Sequence, residues 1–155
     1  MDIVFRSARD EECPALSDLM LRSKAHWDYD ADFIEACRAD LTITPQWLQR
    51  YDGFVAERGS DVVGFFGIGM DGPTAKVSHF FVDLAAISTG VGGIMWARFV
   101  EEVRARGANR IEIESEPYAE PFYLSRGAKR IGGAPSSVFP GRILPLLELT
   151  LSPTA

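Results

Sequence analysis

The stretch that most constrains this chain runs from Val77 to Gly107, VSHFFVDLAAISTGVGGIMWARFVEEVRARG. Val77–Val82 is rich in β-branched and aromatic residues and reads as a strand. Residues 85–89 form a connection, and Gly90, Val91, Gly92 and Gly93 lead into an amphipathic segment. There Met95, Trp96, Phe99, Val100 and Val103 recur at helical spacing, with Arg98, Glu101, Glu102 and Arg104 on the other side. Gly107 ends the helix after Arg104 and Arg106, cations that suit the negative end of a helix dipole.

A helix start leaves about four backbone N–H groups without an intrahelical partner and carries roughly half a positive charge. Gly90, Gly92 and Gly93 bring no Cβ there, so a ligand can approach the backbone closely. The pattern suits an anion such as a phosphate or pyrophosphate, held without lysine or arginine. The same residues also suit a tight strand-to-helix turn with no ligand, and glycine spacing alone does not separate the two. Two other phosphate loops fit poorly. A Walker loop needs a lysine that the run Gly92-Gly93-Ile94 lacks, and a dinucleotide fingerprint needs a small residue where Met95 stands.

The chain has 155 residues, the size of one domain, and the reading expects a single domain over 1–155. Apolar residues are 46% and charged residues 25%, the balance of a globular protein. No apolar run approaches the ~20 residues of a membrane span. The start, MDIVFRSARDEE, does not read as a signal peptide, because its apolar run is short and acidic residues follow at once. A formal net charge of −6 disfavours nucleic acid and anionic membranes and mildly favours a cationic partner. Cys13 and Cys37 form no CxxC pair, and only two histidines are present, so a metal site or disulfide is not expected. The cysteine usage fits a cytoplasmic protein.

Taken in order, Asp2–Arg6 alternates as a strand, with Ile3 and Phe5 on one face. Asp10 or a neighbour caps a helix with Pro14 near its start and Leu16, Leu19, Met20 and Ser23 as its inner stripe. A second helix buries Phe33, Ile34, Cys37 and Leu41, and residues 45–50 form a short turn or helix. A hairpin follows, turning at Gly59-Ser60-Asp61, and Asp71-Gly-Pro-Thr makes the next turn. After the central strand and helix, Arg110–Glu116 alternates, with Ile111 and Ile113 facing one way. A short helix over 117–126 stops at Gly127, and two strands, 128–133 and 143–151, close the chain. The order β-α-α-β-β-β-α-β-α-β-β predicts a mixed sheet with a β-α-β crossover in its second half.

Two segments resemble a known family. Ile87, Ser88, Thr89, Gly90, Val91 and Gly92 resemble motif A of the GNAT acetyltransferases, with Ile87 where the family has Gln or Arg and Leu84 where it often has proline. Residues 116–128, with Tyr123 four positions before Gly127, resemble the family's next motif. The resemblance spans roughly Val55 to Leu149. It implies an α/β (α+β) fold with a mixed, mostly antiparallel central sheet of about seven strands, a splayed central pair and about four flanking helices. It further implies acetyl-CoA as cosubstrate. The pantetheine arm would lie on backbone groups of Phe80, Phe81 and Val82, and the pyrophosphate on N–H groups of Ser88, Thr89, Gly90, Val91, Gly92 and Gly93. Tyr118 stands where the family has an Asn that touches the arm.

Acetyl transfer to an amine needs a base, because an alkylammonium of pKa about 10 cannot attack, and it gains from a proton donor to the leaving thiolate. The resemblance assigns the donor to Tyr123. In the family the base is often a glutamate early on the central strand, where this chain has Lys76. Glu114 and Glu116, at the end of the neighbouring strand, are the acidic candidates. His26 reads as a polar helix end and His79 as a satisfied buried histidine. Trp27, Tyr29, Trp47 and Tyr51 either line an acceptor pocket or anchor helices on the sheet. Arg142 reads as a free surface arginine. The expected activity is transfer of acetyl from acetyl-CoA to a primary amine of a small molecule or peptide, by direct attack and without a metal. The alternative is an acyl-CoA sensor of the same fold without catalysis. A homodimer is left open.

Overall fold

The computed structural model describes residues 2–152. Seven strands form one sheet in the order β1-β2-β3-β4-β5-β7-β6, and the described residues hold five α-helices. In chain order the elements are β1 (Ile3–Ser7), α1 (Cys13–Ala25), α2 (Ala31–Cys37), α3 (Pro45–Arg50), β2 (Asp52–Arg58), β3 (Asp61–Asp71) and β4 (Thr74–Val82). Then follow α4 (Val91–Ala105), β5 (Arg110–Glu114), α5 (Glu120–Ser125), β6 (Lys129–Pro135) and β7 (Ile143–Thr150). The order is the expected one, with α3 resolved as a true helix. It is started by Thr44, whose hydroxyl accepts the Trp47 N–H at 3.1 Å, with Pro45 in its first turn. The central strand starts at Thr74, three residues before Val77, because Thr74–Lys76 pair with β5.

The residues divide into two compact units. The first comprises the chain up to Ile68 together with Ser78–Val100. Here β1, β2 and β3 are antiparallel, and the β2–β3 turn is made at Gly59 with φ 66°. The inner stripe of α1 is as read, with Leu16, Leu19, Met20 and Ser23 buried. In α2 only Cys37 is fully buried, Phe33 and Ile34 are half-buried, and Leu41 lies past the helix end. The aromatic core includes Phe66, whose ring meets Phe99 edge-on at 5.4 Å, and Trp96 stacked on Phe99 at 5.2 Å. Arg6 ties β1 to Glu12 and to Glu57 of β2.

The second unit comprises Gly69–Val77 and the chain from Glu101 on. Its centre is β5, with Ile111 and Ile113 buried against Leu147 of the neighbouring strand. The alternation in the sequence holds here, because one face of β5 is core and Glu114 on the other is exposed. β5 is antiparallel to β7 and parallel to β4. The parallel ladder runs only from Thr74↔Arg110 to Lys76↔Glu112, although β4 continues to Val82 and β5 to Glu114. The β6–β7 hairpin completes this unit, with a register shift at Arg130/Gly132. Cys13 and Cys37 are buried. Among the described residues no helix is long and apolar enough to cross a membrane.

Helix α4 packs through a site that only glycine allows. A Cβ on Gly64 would collide with Met95 Sδ and sit 3.0 Å from the Phe81 carbonyl oxygen. Gly64→Val is therefore expected to destabilise the protein by about 1–3 kcal/mol through overpacking. Thermal unfolding checks it, each kcal/mol lowering the midpoint by about 2–4 °C.

Candidate functional site

The loop after β4 is built step by step. The Asp83 N–H donates to the Val63 carbonyl at 2.8 Å and closes the strand. The Asp83 carboxylate accepts the Leu84 N–H at 2.8 Å and pairs with Arg22 of α1 at 3.3 Å. A 3-10 turn over Leu84–Ala86 follows, pinned by buried Ala86. Ser88 then takes φ 67°, the one non-glycine in the left-handed region among the described residues. Gly90 takes φ 90°, with nothing within 4 Å of where a Cβ would stand. α4 begins at Val91, and its first backbone bond to a turn carbonyl is Ile94 N–H to Gly90 at 3.4 Å. The N–H groups of Val91, Gly92 and Gly93 therefore have no carbonyl four residues back within the helix. Buried Val91 and Met95 hold this end of the helix down, while Ile94 is 49% exposed.

A helix start carries partial positive charge, and at Gly90 the space where a Cβ would stand is open. The sequence pointed to the glycines but not to the backbone strain at Ser88. Left-handed backbone in a residue with a Cβ costs about 1–2 kcal/mol, and such outliers gather at functional loops.

The half of β4 in the same unit presents different faces. Phe80 lies against Phe66 at 6.4 Å and Trp96 at 5.8 Å, towards α4. His79 meets Trp47 of α3 edge-on at 5.1 Å. It is half-buried, with Nδ1 3.2 Å from Ser78 Oγ and Nε2 3.4 Å from the Asp40 carbonyl. Burial lowers its pKa below the ordinary 6.5, opposed by the Asp40 carbonyl bond and charge. Phe80, Phe81 and Val82 are all half-buried. His26 is exposed at the end of α1, as read. Tyr29 stacks on Phe33 at 4.1 Å under Lys24, so these aromatics anchor α2 and already hold a cation of the chain. A separate groove of about 560 Å³ runs along α1 between Pro14, Asp18, Leu21, Ile43 and Pro45, and none of Ser78–Val82 or Ser88–Gly93 lines it.

The second unit carries the remaining candidates. Glu114 ends β5 exposed. The Glu116 side chain accepts the Tyr118 N–H at 3.5 Å and lies 3.9 Å from Arg142. Arg142 is thus no free surface arginine. Its side chain is 23% exposed and paired, because the β6–β7 loop folds back so that the Ser136 N–H reaches the Arg142 carbonyl at 2.8 Å. Tyr118 is 44% exposed, whereas Tyr123 on α5 is 5% exposed and its phenol is pushed well above 10 by burial. α5 is fixed at its start by Glu120, paired with Arg130 of β6, and at its end by the Ala128 N–H on the Tyr123 carbonyl at 3.1 Å. Among the described residues no group of three or more His, Cys, Asp or Glu side chains is arranged to hold a metal ion.

A family model for the acetyltransferase (GNAT) domain matches residues 24–138, which fall in both units. The chain belongs to the GNAT acetyltransferase family. Solved structures share its fold at low sequence identity. A GCN5-related N-acetyltransferase from Rhodopseudomonas palustris is similar with a TM-score of 0.79 at 18% identity, covering 97% of each chain. The ribosomal-protein-S18-alanine N-acetyltransferase from Escherichia coli gives 0.71 at 16% identity, over 99% of this GNAT chain and 97% of its own. The yncA protein from Salmonella typhimurium, solved with its cofactor acetyl-CoA, gives 0.67 at 22%, over 100% and 97%. No curated protein sequence matches significantly.

Because this GNAT loop needs its left-handed residue, Gly90→Val is expected to cost about 1–2 kcal/mol. Ser88→Gly should change stability by less than about 0.5 kcal/mol, since relief of strain offsets added freedom in the unfolded chain. Urea unfolding of both variants checks the pair.

Proposed function

We propose that this protein transfers the acetyl group of acetyl-CoA to a primary amine of a small molecule or peptide, acting as a single acetyltransferase domain. The observation that carries the reading is the loop Ser88–Gly93. It has two left-handed residues, open space and the first-turn amides of α4, which lack partners within the helix, on a chain that belongs to the GNAT family. The likeness to the acetyl-CoA complex of the yncA protein adds support. The diphosphate would rest on the amides of Ser88, Thr89, Gly90, Val91, Gly92 and Gly93, and the pantetheine arm on the backbone of Phe80, Phe81 and Val82. Acetyl-CoA itself supplies the activated acyl group as a thioester.

The chain's own groups then act by orientation and by proton handling. Tyr123 is the donor to the leaving sulfur. Buried, it keeps its proton at neutral pH, as a donor must. Transfer to a thiolate of pKa about 8.5 is uphill for such a phenol. The donation is balanced when the nitrogen of the tetrahedral intermediate reprotonates the tyrosine in the same step. Glu114, exposed at the end of β5, is the acidic candidate to receive a proton directly or through water. Tyr118 would flank the arm. The negative net charge favours a cationic acceptor over an acidic one.

Two variants test the reading. Gly92→Glu places a carboxylate at the diphosphate cradle and should abolish binding of acetyl-CoA, read by titration calorimetry. Tyr123→Phe should lower kcat by about tenfold or more with the Kd of acetyl-CoA within about twofold. Turnover equal to the parent, followed by release of free thiol from an amine panel, would remove the donor role.

A further inference from the structure

The reaction needs a group that takes the proton of the incoming ammonium, and Lys76 occupies the position where the family resemblance looks for one. β4 carries another arrangement two residues downstream. A carbonyl oxygen only accepts, so the contact between Asp40 O and His79 Nε2 at 3.4 Å is a hydrogen bond in the tautomer with the ring hydrogen on Nε2. The neutral ring then has its lone pair on Nδ1, 3.2 Å from Ser78 Oγ, and accepts the serine hydroxyl. Ser78 is exposed and His79 half-buried, so the hydroxyl is the outer end of the chain of bonds.

The space for it comes from Gly67 on β3. A Cβ there would collide with Ser78 Oγ and lie 2.6 Å from the Trp47 ring. Ser78 and His79 are neighbours on a strand, yet both turn towards the Trp47 side, so the usual alternation is broken at this point. Trp47 in turn stacks on Tyr51 at 5.0 Å, and an aromatic face of this kind attracts an ammonium. The pair directly precedes Phe80, where the arm of acetyl-CoA is proposed to lie.

We infer that Ser78 and His79 form a proton relay that deprotonates the acceptor, held in register by the Asp40 carbonyl. This rests on the acetyltransferase reading above, with the relay in place of Glu114 as the base. The ammonium gives one proton to Ser78 Oγ as the serine's own proton passes to His79 Nδ1. The neutral nitrogen attacks the thioester carbon, forming the N–C bond. As the intermediate collapses the C–S bond breaks, and the second nitrogen proton reaches sulfur through Tyr123, leaving amide and free CoA thiol. The imidazolium then returns its proton to water.

Around the ring, Asp40 is the charged residue that acts on it, while Trp47 of α3 and Phe65 of β3, with centroids 5.1 and 6.1 Å away, bring no charge. Burial outweighs Asp40, so the ring is neutral at pH 7. Activity should fall as pH drops through a value below the ordinary 6.5.

The test uses the full chain and the best acceptor from an amine panel. His79→Gln should lower kcat/KM by about 10²–10⁴ and abolish the acid limb, with part of the rate restored by added imidazole and the Kd for acetyl-CoA unchanged. Ser78→Ala should lower kcat while keeping that limb. In the unaltered protein, side-chain ¹⁵N NMR should show the Nε2–H tautomer of His79. A Nδ1–H tautomer, or a His79→Gln variant with the parent rate and pH profile, overturns the relay and leaves the acetyltransferase reading standing. Acetyl-CoA binding with no amine acetylated by the parent protein removes both.

Discussion

The burial of Val91 and Met95 is the constraint on which the candidate site depends. A helix start offers outward amides only if the helix behind it cannot shift, because its orphan N–H groups otherwise find other partners as the chain moves. Here the start of α4 is held by a methionine seated over Gly64 and by Trp96 and Phe99, whose rings meet Phe80 and Phe66 of the sheet. The turn before them is held by Asp83, which is bonded to β3 and paired with α1. Strain at Ser88 is tolerated because both sides of the loop are fixed.

β4 serves two surfaces at once. Phe80 joins the core under α4, while His79 joins α3 and the end of α2. A strand with strict alternation and full pairing on both edges would have neither freedom. The short parallel ladder, ending at Lys76↔Glu112, leaves the rest of β4 without that partner, and the break in alternation at Ser78 follows just after it.

In the second unit the β6–β7 hairpin supplies an arginine to each carboxylate that flanks α5. Arg130 meets Glu120, and Arg142 meets Glu116. Arg130 is more than half exposed, and an ion pair open to water on one side contributes little stability. Their effect is to fix where the helix bearing Tyr123 begins, and the Ser115 N–H on the Pro145 carbonyl at 2.9 Å anchors the segment before it.

Much of this was legible in one dimension. Hydrophobic period marked the first strand, β5 and the two long helices, and β-branched and turn residues marked the other strands, since all of these are properties of the local chain. The glycines at 90, 92 and 93 marked the loop, because absence of a Cβ is itself written in the sequence. Thr74–Lys76 were missed, because their strand character comes from pairing with β5, more than thirty residues away in the chain. The same holds for the left-handed Ser88, for the burial of Tyr123, for Arg142 closing on Glu116, and for His79 with its two hydrogen-bond partners. Local chemistry set the elements and the glycine loop by itself. Folding decided which titratable groups lose water and whom they meet, because desolvation and long-range contact depend on neighbours that sequence order does not name.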